Sequence, residues 1–160
     1  MTSQPAQVNS DFRSAMRRLA AGVAVITTCN GDEPHGMTAT EVSSLALDPA
    51  SLLICVNRSA SVHDILEGNG RFCVNLLSRD QAGTGQRFAS KPEGGQRFEN
   101  FAWSMLYGLP YLHGIQAGIF CTQAALMRFG THTIFVGTVD AVELGPLVDP
   151  LVYLDGNFLP

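Results

Sequence analysis

The chain has 160 residues, of which 46% are apolar and 15% are charged, and its formal net charge is −4 at pH 7. This length fits one domain. The charged fraction is below the roughly 25% of a typical soluble domain, which indicates either a surface buried against a second subunit or a surface rich in uncharged polar residues. The net negative charge, with no basic run beyond Arg17-Arg18, argues against binding to nucleic acid.

Signals for membranes, secretion and metals are missing from the sequence. The longest apolar runs, such as residues 52–56, are far shorter than the ~20 residues that cross a bilayer. Residues 1–7 lack the positive start and apolar block of a secretory signal. The cysteines form no Cys-x-x-Cys pair, and the histidines lack metal-ligand spacing, so no metal site is predicted. We therefore expect a cytoplasmic protein with free thiols and no membrane partner.

The predicted elements begin with one helix. Residues 1–9 are polar and expected to be disordered, and residues 10–160 are expected to form a single domain. Ser10 is a suitable N-cap, and Gly22 is expected to end the helix. Apolar residues follow helical spacing between them: Phe12, Ala15, Met16, Leu19 and Ala20.

The rest of the chain predicts many short strands and few helices, from β-branched and apolar runs bounded by turn residues. Strands are predicted over residues 23–28, 35–40, 51–57, 71–77, 115–128, 133–144 and 151–154. Short helices are predicted over residues 59–68 and 81–88, followed by a polar loop over 89–100. There is no βαβ alternation, and Gly83-Thr84-Gly85 does not follow a strand, so a Rossmann domain is rejected. The pattern predicts a mainly β barrel or sandwich.

Two polar clusters stand at the ends of apolar strands. Residues 36–44 combine small residues, which permit close approach of a flat ligand, with hydroxyls that can bond carbonyls or phosphate. Residues 55–63 join a strand to a helix start, where Arg58, Ser59 and Ser61 suit a phosphate. His63 either has a structural role at this helix start or contacts the phosphate. Each cluster alone also fits an ordinary polar loop.

These clusters belong to a longer pattern that resembles the short-chain flavin reductase family. Members are the small reductase partners of two-component monooxygenases, such as those acting on 4-hydroxyphenylacetate. The matching segments are residues 36–39, 47–49, 55–61, 72–77, 87–89, 130–137 and 150–158. The resemblance runs from about Asp11 to the C-terminus, and the combined pattern is specific although no single piece is.

The resemblance implies a homodimeric split β-barrel of the FMN-binding type, with FMN or FAD at the subunit interface. NADH or NADPH would deliver hydride to the flavin, and reduced flavin would diffuse to a partner oxygenase. Two alternatives stay open: a non-catalytic flavin-binding redox or sensory dimer, and a flavoprotein that reduces a metal complex or cobalamin. The sequence leaves open the choice between the flavins, the choice between the nicotinamides, and the oxygenase and its substrate.

The resemblance also assigns residues to the flavin. The expected contacts are Met37, Thr38, Ala39, Thr40 and Ser44 along the isoalloxazine and ribityl chain, Cys55, Val56 and Asn57 beneath the ring, Ser59 and Ser61 toward the phosphate with His63 as a further candidate, Phe88 and Ala89 on the phosphate side, and Tyr153 and Phe158 from the C-terminal motif.

Three positions depart from the family pattern. His132 matches the histidine of the family's Gly-Asp-His stretch, but Thr131 replaces the carboxylate that would raise imidazole basicity, which leaves His132 a positioning role toward the nicotinamide. Phe158 lacks the hydroxyl of the family's final tyrosine. Glu41 stands where many members have serine. Because a carboxylate near the flavin disfavours the anionic reduced ring, Glu41 is expected to point away.

Overall fold

The computed structural model describes residues 5–90 and 94–159. Its helices are α1 (Pro5–Met16), α2 (His63–Asn69) and α3 (Ala82–Ala89), with 3-10 helices at Arg79–Gln81 and Gly94–Phe98. Its strands are β1 (Ala21–Gly22), β2 (Ala24–Asn30), β3 (Glu33–Ala39), β4 (Val42–Leu47), β5 (Ala50–Asn57), β6 (Arg71–Leu76), β7 (Trp103–Leu106), β8 (Leu109–Leu112), β9 (Ala117–Phe129), β10 (His132–Leu144), β11 (Val152–Leu154) and β12 (Asn157–Phe158).

Seven strands form one antiparallel sheet in the order β3-β2-β6-β9-β10-β5-β4. The two edge strands, β3 and β4, are consecutive in the chain and are joined only by Thr40 and Glu41. The sheet must therefore curl until its edges are neighbours, while no described backbone pairing joins β3 to β4. This confirms the predicted mainly β fold of the split-barrel type.

The core lies inside the curl and follows the two-residue period of the strands. On β5, Leu52, Ile54 and Val56 are buried, whereas the alternate residues are half-buried on the outer face. Phe72 and Phe135 join the inner residues in the same core cluster. β5 therefore presents a side-chain surface, through Cys55 and Asn57, that its own core does not cover.

A second core cluster holds α3 and the C-terminal hairpin against the sheet. Phe88 of α3 is almost fully buried and packs edge-on against Phe98, with 5.0 Å between ring centroids. Leu151 and the rings of Tyr153 and Phe158 belong to the same cluster. This packing places the β11–β12 hairpin beside α3 and the end of β3.

The N-terminal helix differs from its prediction. It begins at Pro5 rather than Ser10, so residues 5–9, expected to be disordered, are helical, and residues 1–4 lie outside the described residues. It ends at Met16 rather than near Gly22, because Ala21 and Gly22 pair as β1 with β11. All of its residues are exposed in the single chain, including Phe12 at 65%.

Most strand predictions are confirmed to within a few residues, whereas β1, β4, β8 and β12 were not predicted. The helix expected from residue 59 starts only at His63, because residues 58–62 form turns. No helix within residues 5–90 and 94–159 is both long and apolar enough to cross a membrane. Over the same ranges, no three His, Cys, Asp or Glu side chains are grouped so that they could hold a metal ion.

Candidate active site

A cavity of about 470 Å³ lies between the end of β3, α3 and the C-terminal hairpin. Its lining residues are Thr38, Ala39, Thr40, Gln86, Ala89, Tyr153, Gly156, Asn157 and Phe158. The sequence predicted all of these except Gln86, Gly156 and Asn157. Three segments that are distant in the chain therefore meet here, as the prediction required.

Close contacts between segments that are distant in the chain fix the walls of this cavity. The Thr38 hydroxyl donates to the Gly85 carbonyl at 2.6 Å, which ties β3 to α3. A Cβ at Gly85 would lie 3.1 Å from the Phe158 ring, so the missing side chain lets β12 approach the helix closely. The rings of Tyr153 and Phe158 pack edge-on, with 5.4 Å between their centroids. The hairpin thus forms a defined wall of the cavity.

Arg17 holds the same hairpin from the N-terminal side. Its Nε donates to Asp155 Oδ1 at 2.9 Å and its Nη2 to the Asp155 carbonyl at 2.7 Å, while the Asp155 N–H donates to the Arg17 carbonyl at 2.9 Å. Sequence reasoning missed this pair because nothing local links residues so far apart in the chain. An exposed ion pair contributes little alone, but the two backbone contacts fix the turn as well.

A second cavity, of about 730 Å³, adjoins the first and shares Thr40 and Tyr153 with it. Its further lining includes Glu41, Val42, Ser44, Leu52 and residues at the end of α1, among them Arg13, Met16 and Arg17. The predicted residue Ser44 belongs to this second cavity. Together the two cavities form one groove, which we call the barrel groove.

The second polar cluster meets His132 along the opposite edge of β5, where β5 pairs with β10. Asn57 pairs directly with His132 across β5 and β10, and both the N–H and the hydroxyl of Ser59 donate to Asn57 Oδ1 at 2.9 Å. A third cavity, of about 540 Å³, is lined here by Asn57, Arg58, Ser59, His63, Asp64, Glu67, Arg128, Gly130 and Thr131. Glu67 and Arg128 form an ion pair across it.

The two histidines near this cavity have different environments. His63 is 4% exposed, and its ring nitrogens lie 2.8 Å from Asp64 Oδ1 and 2.8 Å from Thr133 Oγ1. Both nitrogens are thus engaged within the protein, which favours the structural role over a phosphate contact. His132 is exposed, with Nδ1 2.9 Å from the Thr131 hydroxyl. Within the part of the chain that the structure describes, Nε2 of His132 makes no hydrogen bond.

The remaining predicted residues line none of these three cavities. Val56 and Phe88 are buried in the two core clusters, and Met37 packs against the first, so these side chains belong to the core. Cys55 is half-buried on the outer face of β5, where burial and, secondarily, the Glu41 carboxylate raise the pKa of its thiol. Ser61 is exposed in the turn before α2.

Comparison with known proteins identifies the family of this chain. Residues 16–160 match the flavin reductase like domain family. The chain belongs to this family. It is 38% identical, over 96% of its own length and 88% of the relative's, to the reductase component of the FADH(2)-dependent resorcinol hydroxylase of Rhizobium sp. (strain MTP-10005).

Two further relatives of this flavin reductase family member are informative. It is 39% identical to the FMN reductase (NADH) RutF of Stutzerimonas stutzeri (strain A1501), over 94% of this chain and 87% of the relative. The NADH:FAD oxidoreductase SgcE6 of Streptomyces globisporus C-1027 superposes with a TM-score of 0.90 at 30% identity, over 99% of this chain and 96% of that one. The predicted family is confirmed.

The groove residues fit a flavin. Two adjoining cavities of about 470 and 730 Å³ each fall in the size range of ligand sites, roughly 300–1,000 Å³. Hydroxyl and amide groups line the smaller cavity, at Thr38, Gln86 and Asn157, whereas Val42 and Leu52 give the larger one apolar walls. A flat ring with a polar tail matches that division of chemistry.

Proposed function

We propose that this chain is an NAD(P)H-dependent flavin reductase that transfers hydride from NADH or NADPH to FMN or FAD and supplies reduced flavin to a partner monooxygenase. The observation that carries the proposal is a pair of contacts made by residues on the outer face of β5. There Cys55 lies opposite Glu41 at the edge of the barrel groove, and Asn57 lies opposite His132. Glu41, at the edge of the groove, and the nicotinamide-side histidine therefore both lie beside this one face.

The names of the relatives support the reaction. One relative is named as an FMN reductase that uses NADH, one as an NADH:FAD oxidoreductase, and one as the reductase component of a hydroxylase. All three resemble this chain over nearly its full length. We therefore assign flavin as the acceptor and a nicotinamide nucleotide as the donor, with an oxygenase component as the consumer of reduced flavin.

The chemistry of hydride transfer belongs to the nicotinamide and the flavin themselves. The protein must hold the two reacting atoms roughly 3–3.5 Å apart and in line. Ala39, at the groove wall, leaves room for two stacked rings because its side chain is a single methyl group. His132 serves by hydrogen-bonding the nicotinamide amide or ribose through Nε2, which needs no charge on the imidazole.

The phosphate end is proposed from the remaining polar residues. Ala89 and Gln86, on α3, line the smaller cavity, where the ribityl chain and phosphate would extend. Ser59 and Ser61, with the backbone N–H groups of the turn before α2, are the alternative phosphate contacts that the family resemblance implies. Gln86 and Ala89 line the smaller cavity of the groove, whereas Ser59 lines the third cavity. Variants that weaken phosphorylated flavins more than riboflavin would therefore identify the residues that contact the phosphate.

We propose a homodimer because the single chain exposes many large apolar side chains. Phe12 and Leu19 lie at the N-terminal helix, Leu47 at the end of β4 is 94% exposed, and Phe129 at the tip of the β9–β10 ribbon is 81% exposed. Monomeric soluble proteins seldom expose so much apolar surface. Sedimentation at micromolar concentration should give about twice the chain mass of 17.1 kDa; a flavin-binding monomer would contradict the homodimer.

One set of steady-state assays tests the proposed function against its alternatives. Catalytic amounts of the protein are incubated with NADH or NADPH, and with FMN, FAD or riboflavin in excess. Turnover that depends on free flavin supports a flavin reductase. Bound flavin without turnover would indicate a redox or sensory dimer. Turnover of a ferric chelate with only bound flavin present would indicate a metal-complex reductase.

A cytoplasmic location stays a prediction.

A further inference from the structure

Glu41 occupies a position at which its charge can act on the proposed flavin surface. The Cys55 N–H donates to the Glu41 carbonyl at 3.2 Å, next to the pairing of Val42 with Ile54. Residues directly opposite one another in an antiparallel pair project from the same face of the sheet. Against the expectation that it points away, Glu41 therefore shares the outer face of β5 with Cys55 and Asn57.

The carboxylate itself stays close to this surface. Its Oε1 accepts a hydrogen bond from the Thr40 hydroxyl at 3.3 Å, and Glu41 lines the barrel groove together with Thr40 and Tyr153. The carboxylate also raises the pKa of the Cys55 thiol, an effect second to that of burial. Its negative charge is thus felt on β5, one strand away from His132.

Glu41 has no ion-pair partner among the described charges of the groove. Arg13 and Arg17 line the same cavity, but Arg17 is committed to Asp155. Within residues 5–90 and 94–159, no arginine or histidine forms an ion pair with Glu41. A carboxylate without a close cation repels any negative charge that develops beside it.

We propose that Glu41 makes the site bind reduced flavin less tightly than oxidised flavin and so favours release of the product. This inference rests on the proposed function. In the reaction a nicotinamide loses hydride and becomes the oxidised cation, while the neutral flavin ring gains that hydride. The ring leaves as an anion at neutral pH, with no other proton or electron required. Of the two redox states of the flavin ring, only the reduced one therefore carries a negative charge that Glu41 repels.

Glu41→Gln tests this proposal because it removes the charge and keeps the shape and the hydrogen-bond acceptor for Thr40. Dissociation constants for oxidised and reduced FMN are measured without oxygen by equilibrium titration. The ratio of the reduced to the oxidised constant should fall about 5-fold in the variant. For a two-electron couple this corresponds to a rise of about 20 mV in the potential of bound flavin. Affinity for oxidised FMN should change little.

Asp32→Asn is the matched control, since Asp32 is an exposed carboxylate in the turn at the far end of the β2–β3 hairpin. It should leave the ratio unchanged. In the wild type, added salt should lower the ratio, and this salt effect should shrink in Glu41→Gln. If Glu41→Gln proves unstable, Glu41→Ser gives the same comparison with a smaller side chain.

The two proposals can fail separately. A wild-type protein that reduces flavin, together with an unchanged ratio in Glu41→Gln, would overturn the role of Glu41 and leave the reductase intact. A wild-type protein that binds no flavin would overturn the proposed function itself. A similar fall of the ratio in Asp32→Asn would show that general surface charge, and not Glu41, sets the preference.

Discussion

Asn57 and His132 stand directly opposite one another where β5 pairs with β10. In the sequence they belong to two separate motifs, one beside a helix start and the other after a tight turn. Antiparallel pairing places both side chains on one face of the sheet. The Asn57 side chain is held in turn by the N–H and hydroxyl of Ser59. A ligand that touches the outer face of β5 would therefore meet both motifs.

His132→Ala should lower the rate of flavin reduction by NADH about tenfold, equivalent to about 1.4 kcal/mol, and leave flavin affinity nearly unchanged. The reason is that His132 is assigned to the nicotinamide and not to the flavin. Rapid mixing with NADH and a flavin titration measure the two effects. His113→Ala is the control, because His113 is exposed and bonds Ser104 instead. Wild-type rates over a full NADH titration would remove His132 from nicotinamide handling.

Ser61→Glu should weaken binding of FMN and FAD more than binding of riboflavin, because the new carboxylate opposes a phosphate directly. Ser61→Gln adds similar bulk without charge and should not discriminate among the three flavins. Calorimetric titration with each flavin provides the comparison. If all three flavins weaken equally in Ser61→Glu, Ser61 does not lie at the phosphate. The α3 end of the groove, at Gln86 and Ala89, would then be the phosphate site.

Strands with strong local signals could be predicted from the sequence. β2, β5 and β6 are rich in β-branched and apolar residues, and their predicted bounds agree with the structure to within two residues. β4 was missed because Val42-Ser43-Ser44 reads as a polar loop and becomes a strand only by pairing with β5. Local pattern carries no information about a partner strand, so edge strands of this kind depend on tertiary context.

The site was predictable to the extent that the family resemblance supplied it. Thr38, Thr40 and Tyr153 meet in the barrel groove as expected. Gln86, and Arg17 with its partner Asp155, carry no local signal, because their positions depend on packing between distant segments. The chemical argument that Glu41 points away from the flavin could not use strand register, which sets the face of Glu41 and is not given by the sequence alone.

Gly137→Ala should destabilise the protein by about 1–3 kcal/mol, the usual cost of overpacking a core. A Cβ at Gly137 would lie 2.6 Å from the Phe72 ring and 2.8 Å from Cys121 Cβ. Gly83→Ala is the opposite case, because no atom lies within 4 Å of its added Cβ and it sits in α3. It should be neutral or stabilise by up to about 1 kcal/mol. Chemical denaturation measures both; equal stability of the two variants would contradict the packing.

The stability of the protein should fall as pH rises above about 8, partly through Cys121. Burial, and secondarily Asp140, raises the pKa of its thiol from 9.0 to about 12. The unfolded chain therefore releases this proton first, so the contribution is present below the unfolded pKa and is lost as pH rises toward the folded value. Between about pH 8 and pH 10 the loss from this thiol is about 1 kcal/mol.

Cys121→Val removes that thiol and should flatten the alkaline part of the stability curve by about the same amount. Denaturation midpoints over the pH series, for wild type and variant, provide the measurement. Cys29→Val is the control, because Cys29 lies at the partly exposed end of β2. Parallel curves for wild type and Cys121→Val would show that this thiol does not contribute to the alkaline loss.

The central claim is that flavin is a substrate that enters and leaves, and multiple turnover without oxygen tests it most directly. The protein is mixed with NADH and a large molar excess of FMN, and the absorbance of oxidised flavin is followed. The proposed reductase should bleach the entire flavin pool, at a rate proportional to protein concentration and lowered in His132→Ala. Bleaching that stops at one flavin per chain, or none with either nicotinamide and either flavin, would contradict it.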